Sequence, residues 1–142
     1  KNFKKKINYS INKGFKYLKY SSKKKLLIIT TGYFCFNAIE ASKDYKHVSV
    51  INFFRMKKFN EKIFASEIKK FNKILVYDES TYSGGISPII SNFLSKKKIL
   101  IEIEFLVCPN IQLFRYSNER EKIIEKIGLS KKYLIKKLNE IT

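Results

Sequence analysis

Leu26-Leu27-Ile28-Ile29-Thr30-Thr31-Gly32 is the stretch on which the fold turns. Four apolar residues follow one another without alternation, the mark of a β-strand covered on both faces. Thr31-Gly32 closes it. Beyond the glycine, Phe36, Ala38, Ile39 and Ala41-Ser42 fall at helical spacing as far as about Lys43. Val48-Ser49-Val50-Ile51-Asn52-Phe53-Phe54 is the next β-rich run. Asn60 has the form of an N-cap, with Glu61 in the first turn of a helix running through Ile63, Phe64, Ile68 and Phe71. Ile74-Leu75-Val76-Tyr77 makes a third buried strand, closed by Asp78-Glu79-Ser80. After the flexible Gly84-Gly85, Ser87 reads as an N-cap and Pro88 as the first residue of a helix through Ile89, Ile90, Phe93 and Leu94. Ile99 to Val107 is a fourth strand. Ser117 or Asn118 caps a short helix to Ile127 that Gly128 stops, and Ser130 to Ile141 is the last helix.

Strands alternating with helices need parallel pairing and right-handed crossovers. The pattern over residues 26–142 therefore predicts an α/β, Rossmann-like, three-layer sandwich. Upstream, Ile7 to Ile11 and Phe15 to Tyr20 alternate polar with apolar positions around Asn12-Lys13-Gly14. Residues 1–25 accordingly read as an N-terminal β-hairpin or edge-strand segment. With 142 residues and neither internal repeat nor linker, residues 1–142 are expected to be a single domain.

Lys and Arg total 30 against 12 Asp and Glu, a formal net charge of +18. Such a balance invites a nucleic-acid reading. Composition argues otherwise. Lys, Asn, Ile, Phe, Tyr and Met, the residues of AT-rich codons, make up more than half the chain, and Arg occurs at only three positions. Sequence readers of nucleic acid exploit the bidentate guanidinium. The charge is thus expected to be compositional, with no specific nucleic-acid partner. No apolar run approaches the length of a bilayer span, so no membrane partner is expected. Cys35 and Cys108 cannot make a disulfide framework and read as small core residues of a protein in a reducing, cytoplasmic setting. The chain opens on Lys1 rather than Met, as a processed product or an excised piece would, and no apolar signal-peptide core follows its charged start.

Residues able to carry chemistry are sparse. His47 is the only histidine, and it lies before a strand with no metal-ligand spacing around it; it reads as a solvent-facing turn residue. The two cysteines lie too far apart, with no second pair, for a zinc site. Asp78 and Glu79 are adjacent on a strand, so they point to opposite faces and cannot converge on one substrate. Glu79 stands at a strand's carboxyl end, where open α/β sheets present working groups. Gly84 and Gly85 precede a helix but match neither dinucleotide nor P-loop spacing. Their missing side chains would let another backbone approach closely. Arg55, one of the three arginines, follows the second core strand and reads as a charge pair or an interdomain contact. No nucleophile–base set can be assembled, so the catalytic, cofactor and metal residues of this chain are expected to be none. Arg55, Glu79, Gly84 and Gly85 are its candidate interdomain or dimer contacts.

The motifs taken together resemble the transketolase C-terminal domain. Leu26 to Tyr33 is similar to its opening strand and turn, and Val50 to Asn60 to its second strand and Arg-x-Lys turn. Val76-Tyr77-Asp78-Glu79-Ser80 through Gly84-Gly85-Ile86 resembles its strand, paired acids and Gly-Gly helix opener. Pro109-Asn110 and the stretch Phe114 to Leu129 resemble its closing elements. Lys58, Ser87-Pro88 and Asn110 depart from the usual residues. The resemblance implies a five-stranded, mostly parallel sheet whose first strand is antiparallel. It also implies a domain of a thiamine-diphosphate-dependent, transketolase-like transferase that moves two-carbon units between sugar phosphates. Deoxyxylulose-phosphate synthase and the 2-oxo-acid dehydrogenase beta subunits belong to the same superfamily. In such enzymes the cofactor, thiamine diphosphate with magnesium, is held by upstream thiamine-binding domains or a separate subunit of a homodimer. This domain would then be structural, supporting the dimer, and non-catalytic alone. The alternative is a stand-alone basic α/β module for nucleic acid or another polyanion.

Overall fold

A computed structural model describes residues 11–109 and 119–142. Five strands form one sheet: β1 (Phe15–Lys19), β2 (Leu26–Thr30), β3 (Val48–Phe53), β4 (Lys73–Thr81) and β5 (Glu102–Cys108). Their spatial order is β1-β3-β2-β4-β5. β2 lies at the centre, parallel to β3 with Leu26 opposite Val48 and parallel to β4 with Leu26 opposite Lys73. All five of its residues are buried, as its unbroken apolar run requires. β4 and β5 are parallel, while β1 is antiparallel to β3, with Phe15 opposite Phe53.

Among the described residues the helices that cover the sheet are α1 (Phe34–Ser42), α2 (Glu61–Ile68), α3 (Ser87–Lys96), α4 (Arg120–Lys126) and α5 (Lys131–Ile141). Leu27, Ile29, Ile51, Phe53, Ile74 and Val76 face α2 and α3, in a core shared with Phe64, Ile68, Ile90 and Phe93. There Phe15, Phe53, Phe59, Phe64 and Phe93 pack ring against ring, with centroids 4.9 to 5.5 Å apart. The opposite face carries Leu26, Ile28, Val48, Val50, Leu75 and Tyr77, packed with Phe34, Ala38, Ile124, Leu134 and Leu138 from α1, α4 and α5. The layers follow from the strand order. The β2-to-β3 step and the two later steps run in opposite directions along the sheet, and crossovers of one hand put their helices on opposite faces.

The N-terminal segment differs from the hairpin expectation. Residues 11–13 are helical, and Gly14, at φ +83°, ends that turn instead of joining two strands. β1 finds its antiparallel partner in β3, because β3 offers a free edge and its apolar residues match Phe15 and Tyr17 in register. The expected strand over Ile7 to Ser10 lies outside the described residues, as do Asn110 and the stretch from Phe114 through the two proposed caps, Ser117 and Asn118. Glu119 occupies the N-cap of α4. Asn60 caps α2 as expected, its Oδ1 accepting from Ile63 N–H at 3.0 Å. Ser87 does not cap α3; Ile86 sits at the N-cap and Ser87 is the first helical residue. β4 also runs past Tyr77, through Asp78 and Glu79, to Thr81.

Candidate functional site at the carboxyl edge of the sheet

The chain leaves β2 toward α1 on one face and leaves β4 toward α3 on the other. The carboxyl ends of these neighbouring strands therefore diverge, which is where open α/β sheets form a crevice. Asp78 and Glu79 stand at this point and face opposite sides, as the alternation of a strand demands.

Asp78 is 2% exposed, and its Oδ2 accepts from the Ile86 N–H at 3.0 Å. It satisfies one of the amides that the start of α3 leaves without a helical partner, which explains how α3 dispenses with a side-chain cap of its own. The same contact explains Gly85. That residue has φ +61°, and a Cβ on it would lie 2.1 Å from Asp78 Oδ2 and 2.5 Å from Ser80 Cβ. The close approach that glycine permits here is thus made first by the chain's own strand, a reason internal to the fold that spacing did not reveal. Gly84 has ordinary room, with Thr81 Oγ1 at 3.5 Å.

Glu79 turns to the other face, where its carboxylate pairs with the Arg120 guanidinium of α4. Arg120 in turn lies over the Tyr33 ring, 4.7 Å from its centroid, and the Tyr33 hydroxyl donates to Glu121 at 3.4 Å. Sequence reading missed Arg120 and Tyr33. The scarcity of arginine that singled out Arg55 pointed equally to Arg120, but 41 residues separate it from Glu79. A shallow cleft of about 250 Å³ opens beside this network, lined by Tyr33, Asn37, Glu121, Ile124, Glu125, Ser130 and Lys131. Beneath it Tyr77 stacks on Phe34, with centroids 4.4 Å apart. Its hydroxyl donates to the Leu129 carbonyl at 2.5 Å and accepts from Asn37 at 3.3 Å. Burial pushes the phenol up to about 12.

Arg55 is half-buried at the end of β3, and its Nη1 donates to the Ile11 carbonyl at 3.3 Å. Among the described residues no carboxylate pairs with it. Its backbone and that of Phe54 both donate to the Gly14 carbonyl at 3.1 Å, tying the entry to β1 onto this edge. The four candidate contacts thus share one edge without forming one cluster. Exposed apolar side chains gather there too. Ile11, Tyr33, Phe36, Phe54 and Tyr82 all lie at or just beyond the carboxyl ends of the parallel strands, or at the antiparallel start of β1. Tyr20 and Leu100 are the two large exposed hydrophobics on the opposite edge among the described residues.

Cys108 is buried, whereas Cys35 is half-buried in the first turn of α1 and so is not wholly a core residue. His47 is half-buried as well, not solvent-facing as expected, because α5 ends beside it. Among the described residues no group of three or more His, Cys, Asp or Glu side chains could hold a metal ion. No described helix is long and apolar enough to cross a membrane.

These features define a doubly wound α/β domain with an aromatic and charged carboxyl edge. The model of the transketolase C-terminal domain matches residues 16–132, and the chain belongs to that family. Solved structures share the fold. A protein described as a split gene transketolase, inactive beta4 tetramer, superposes with a TM-score of 0.74 at 16% identity, over 91% of this chain and 42% of that one. Transketolase from Campylobacter jejuni subsp. jejuni NCTC 11168 gives 0.66 at 15% identity, over 92% and 19%. Transketolase from Leishmania mexicana gives 0.65 at 11% identity, over 94% and 18%. The chain thus spans less than half the length of each of these proteins. No curated protein matches it in sequence.

Proposed function

We propose that residues 1–142 form one C-terminal domain of a thiamine-diphosphate-dependent, transketolase-like transferase, and that the domain supports assembly and does no catalysis alone. The family match over residues 16–132 carries this reading. In it, thiamine diphosphate and magnesium are bound by upstream domains or a separate subunit, the intact enzyme is a cytoplasmic homodimer, and its substrates are sugar phosphates.

The carboxyl edge, with Arg55, Glu79, Gly84 and Gly85, is the surface that meets those partners. Its exposed aromatics support that role, since large apolar side chains left in water along one edge of a domain are open to burial by a partner. The antiparallel β1 supports it further, because the chain enters the domain at that same edge.

The test is paired. Titration of the 142-residue chain with thiamine diphosphate and magnesium should show no saturable heat, and micromolar binding would overturn the non-catalytic role. In the intact enzyme, Arg55→Ala and Glu79→Ala together should weaken assembly in sedimentation. Unchanged assembly would remove this edge as the contact.

A further inference from the structure

The opposite, amino edge of the sheet holds a feature that the transketolase reading does not use. A cleft of about 240 Å³ opens there, lined by Lys25, Leu26, His47, Asn72, Lys73 and the end of α5. The loop that brings lysines to its mouth is pinned. Ser21 is 6% exposed; its N–H donates to Ser49 Oγ at 2.9 Å, and its hydroxyl donates to the Lys46 carbonyl while accepting from Lys23 N–H. Lys24 holds φ +45°, a left-handed turn unusual for a side-chain-bearing residue. The Lys25 carbonyl accepts from the amides of both Asn72 and Lys73 at 3.1 Å. Lys23 and Lys25 therefore ride on a fixed backbone, which lowers the ordering cost of holding a ligand between them.

Two of the lysines at this cleft lack an opposite charge. Elsewhere on the described surface some lysines close on carboxylates, as Lys70 does on Glu67, Lys97 on Glu61 and Lys137 on Glu104. Lys23 and Lys25 have no ion pair among the described residues. Lys73 is already matched by Glu102 at 2.9 Å. Lys19, from β1, is anchored on the carbonyls of Ser42 and Tyr45 and feels Asp44. His47 lines the cleft, edge-on to Tyr45 at 6.1 Å, with its Nε2 shielded from water and unpartnered. Burial first, and then Lys25, Lys19 and Lys23, hold its imidazole below the ordinary value. A concave wall with an excess of positive charge focuses its field on whatever enters.

We propose that this cleft binds a small phosphate-bearing dianion, held by Lys25 and Lys23 with the Asn72 side-chain amide and the His47 imidazole as further donors. Linkage then fixes the sign: binding favours the protonated ring, so the imidazole titrates at higher pH with the anion bound, and affinity rises as pH falls through that value.

The single histidine makes the test direct, since one imidazole resonance in the 142-residue chain reports on this cleft alone. Its pH titration is followed by NMR in inorganic phosphate, in a phosphate monoester such as glycerol phosphate, and in chloride, all at equal ionic strength. The expected result is an upward, saturable shift of about one unit in the two phosphates and none in chloride. Lys25→Gln should abolish the shift while the thermal midpoint stays put, and Lys23→Gln serves if that variant fails to fold. Identical titration in phosphate and chloride, a shift that never saturates, or a shift that survives both substitutions would overturn the proposal. Tighter binding of a short oligothymidylate than of phosphate would overturn it too, in favour of a polyanion surface.

Discussion

At the carboxyl edge of the sheet the charged groups close on one another, Glu79 on Arg120 and Tyr33 on Glu121, and exposed aromatics surround them. At the amino edge, Lys25 lines a cleft, Lys23 lies on the loop leading to it, and neither has an ion pair among the described residues. One edge carries paired groups among exposed aromatics, the other unpaired lysines beside a cleft. The difference shows that a net charge of +18 is not a uniform property of the molecule. Most lysines are solvated or paired, and only their arrangement separates a drifted composition from a working one.

The carboxyl edge breaks most completely at Gly85. Gly85→Val introduces a Cβ against a buried carboxylate at positive φ, and should destabilise the chain by roughly 3–5 kcal/mol. Gly32→Ala is its control, with φ +60° but open space around the new Cβ, and should cost only about 1–2 kcal/mol. Thermal unfolding of the two variants separates steric from conformational cost. Equal losses would show that Asp78 moves aside.

Tyr77→Phe should come next. Deleting the hydroxyl leaves the Leu129 carbonyl without its donor, at about 1–2 kcal/mol by denaturant unfolding. The phenol's raised value adds a pH signature. The folded state holds Tyr77 neutral while the unfolded phenol ionises near 10, so its contribution is complete below pH 10 and falls as pH rises toward about 12. Tyr17, raised mainly by burial and then by its bond to Glu67, acts in the same sense. Tyr77→Phe should therefore flatten that alkaline decline without removing it.

Glu79→Ala and Arg120→Ala should each change the stability of the chain little. Both side chains are about half exposed, and a pair of that kind contributes about 0.2–1 kcal/mol in a double-mutant cycle. A coupling well above that would mean that α4 depends on the pair. Smallest of all is Thr30→Val. The Thr30 hydroxyl is buried without a partner, so the apolar isostere should be neutral or stabilising by up to about 1 kcal/mol.

Much of this was legible in the chain. The apolar run of β2, the cap at Asn60 and the stop at Gly128 are local signals, and each appears at its expected position. The hairpin failed because local alternation over Phe15 to Tyr20 says that a strand exists, not which strand it meets. The choice of β3 depends on a free edge nearly forty residues away. Asp78 illustrates the same limit. In the sequence its carboxylate is only one of an adjacent pair at a strand end, but the turn through Gly85 folds the start of α3 back onto it. Adjacency on a strand could be read from the sequence, whereas partners across the fold, such as Arg120 for Glu79, could not.

The position of β2 has a consequence for synthesis. The most apolar strand leaves the ribosome early, yet its second neighbour, β4, follows more than forty residues later. At ordinary translation speeds that interval is on the order of seconds. Through it Leu26 to Ile29 must wait with one edge unpaired, a hazard for a nascent chain. β1 and β3 can pair with each other and with β2 during that time, since both are complete by Phe53. The antiparallel outer strand thus lets a three-stranded half-sheet form first, so that only the far edge of β2 still waits for a later strand.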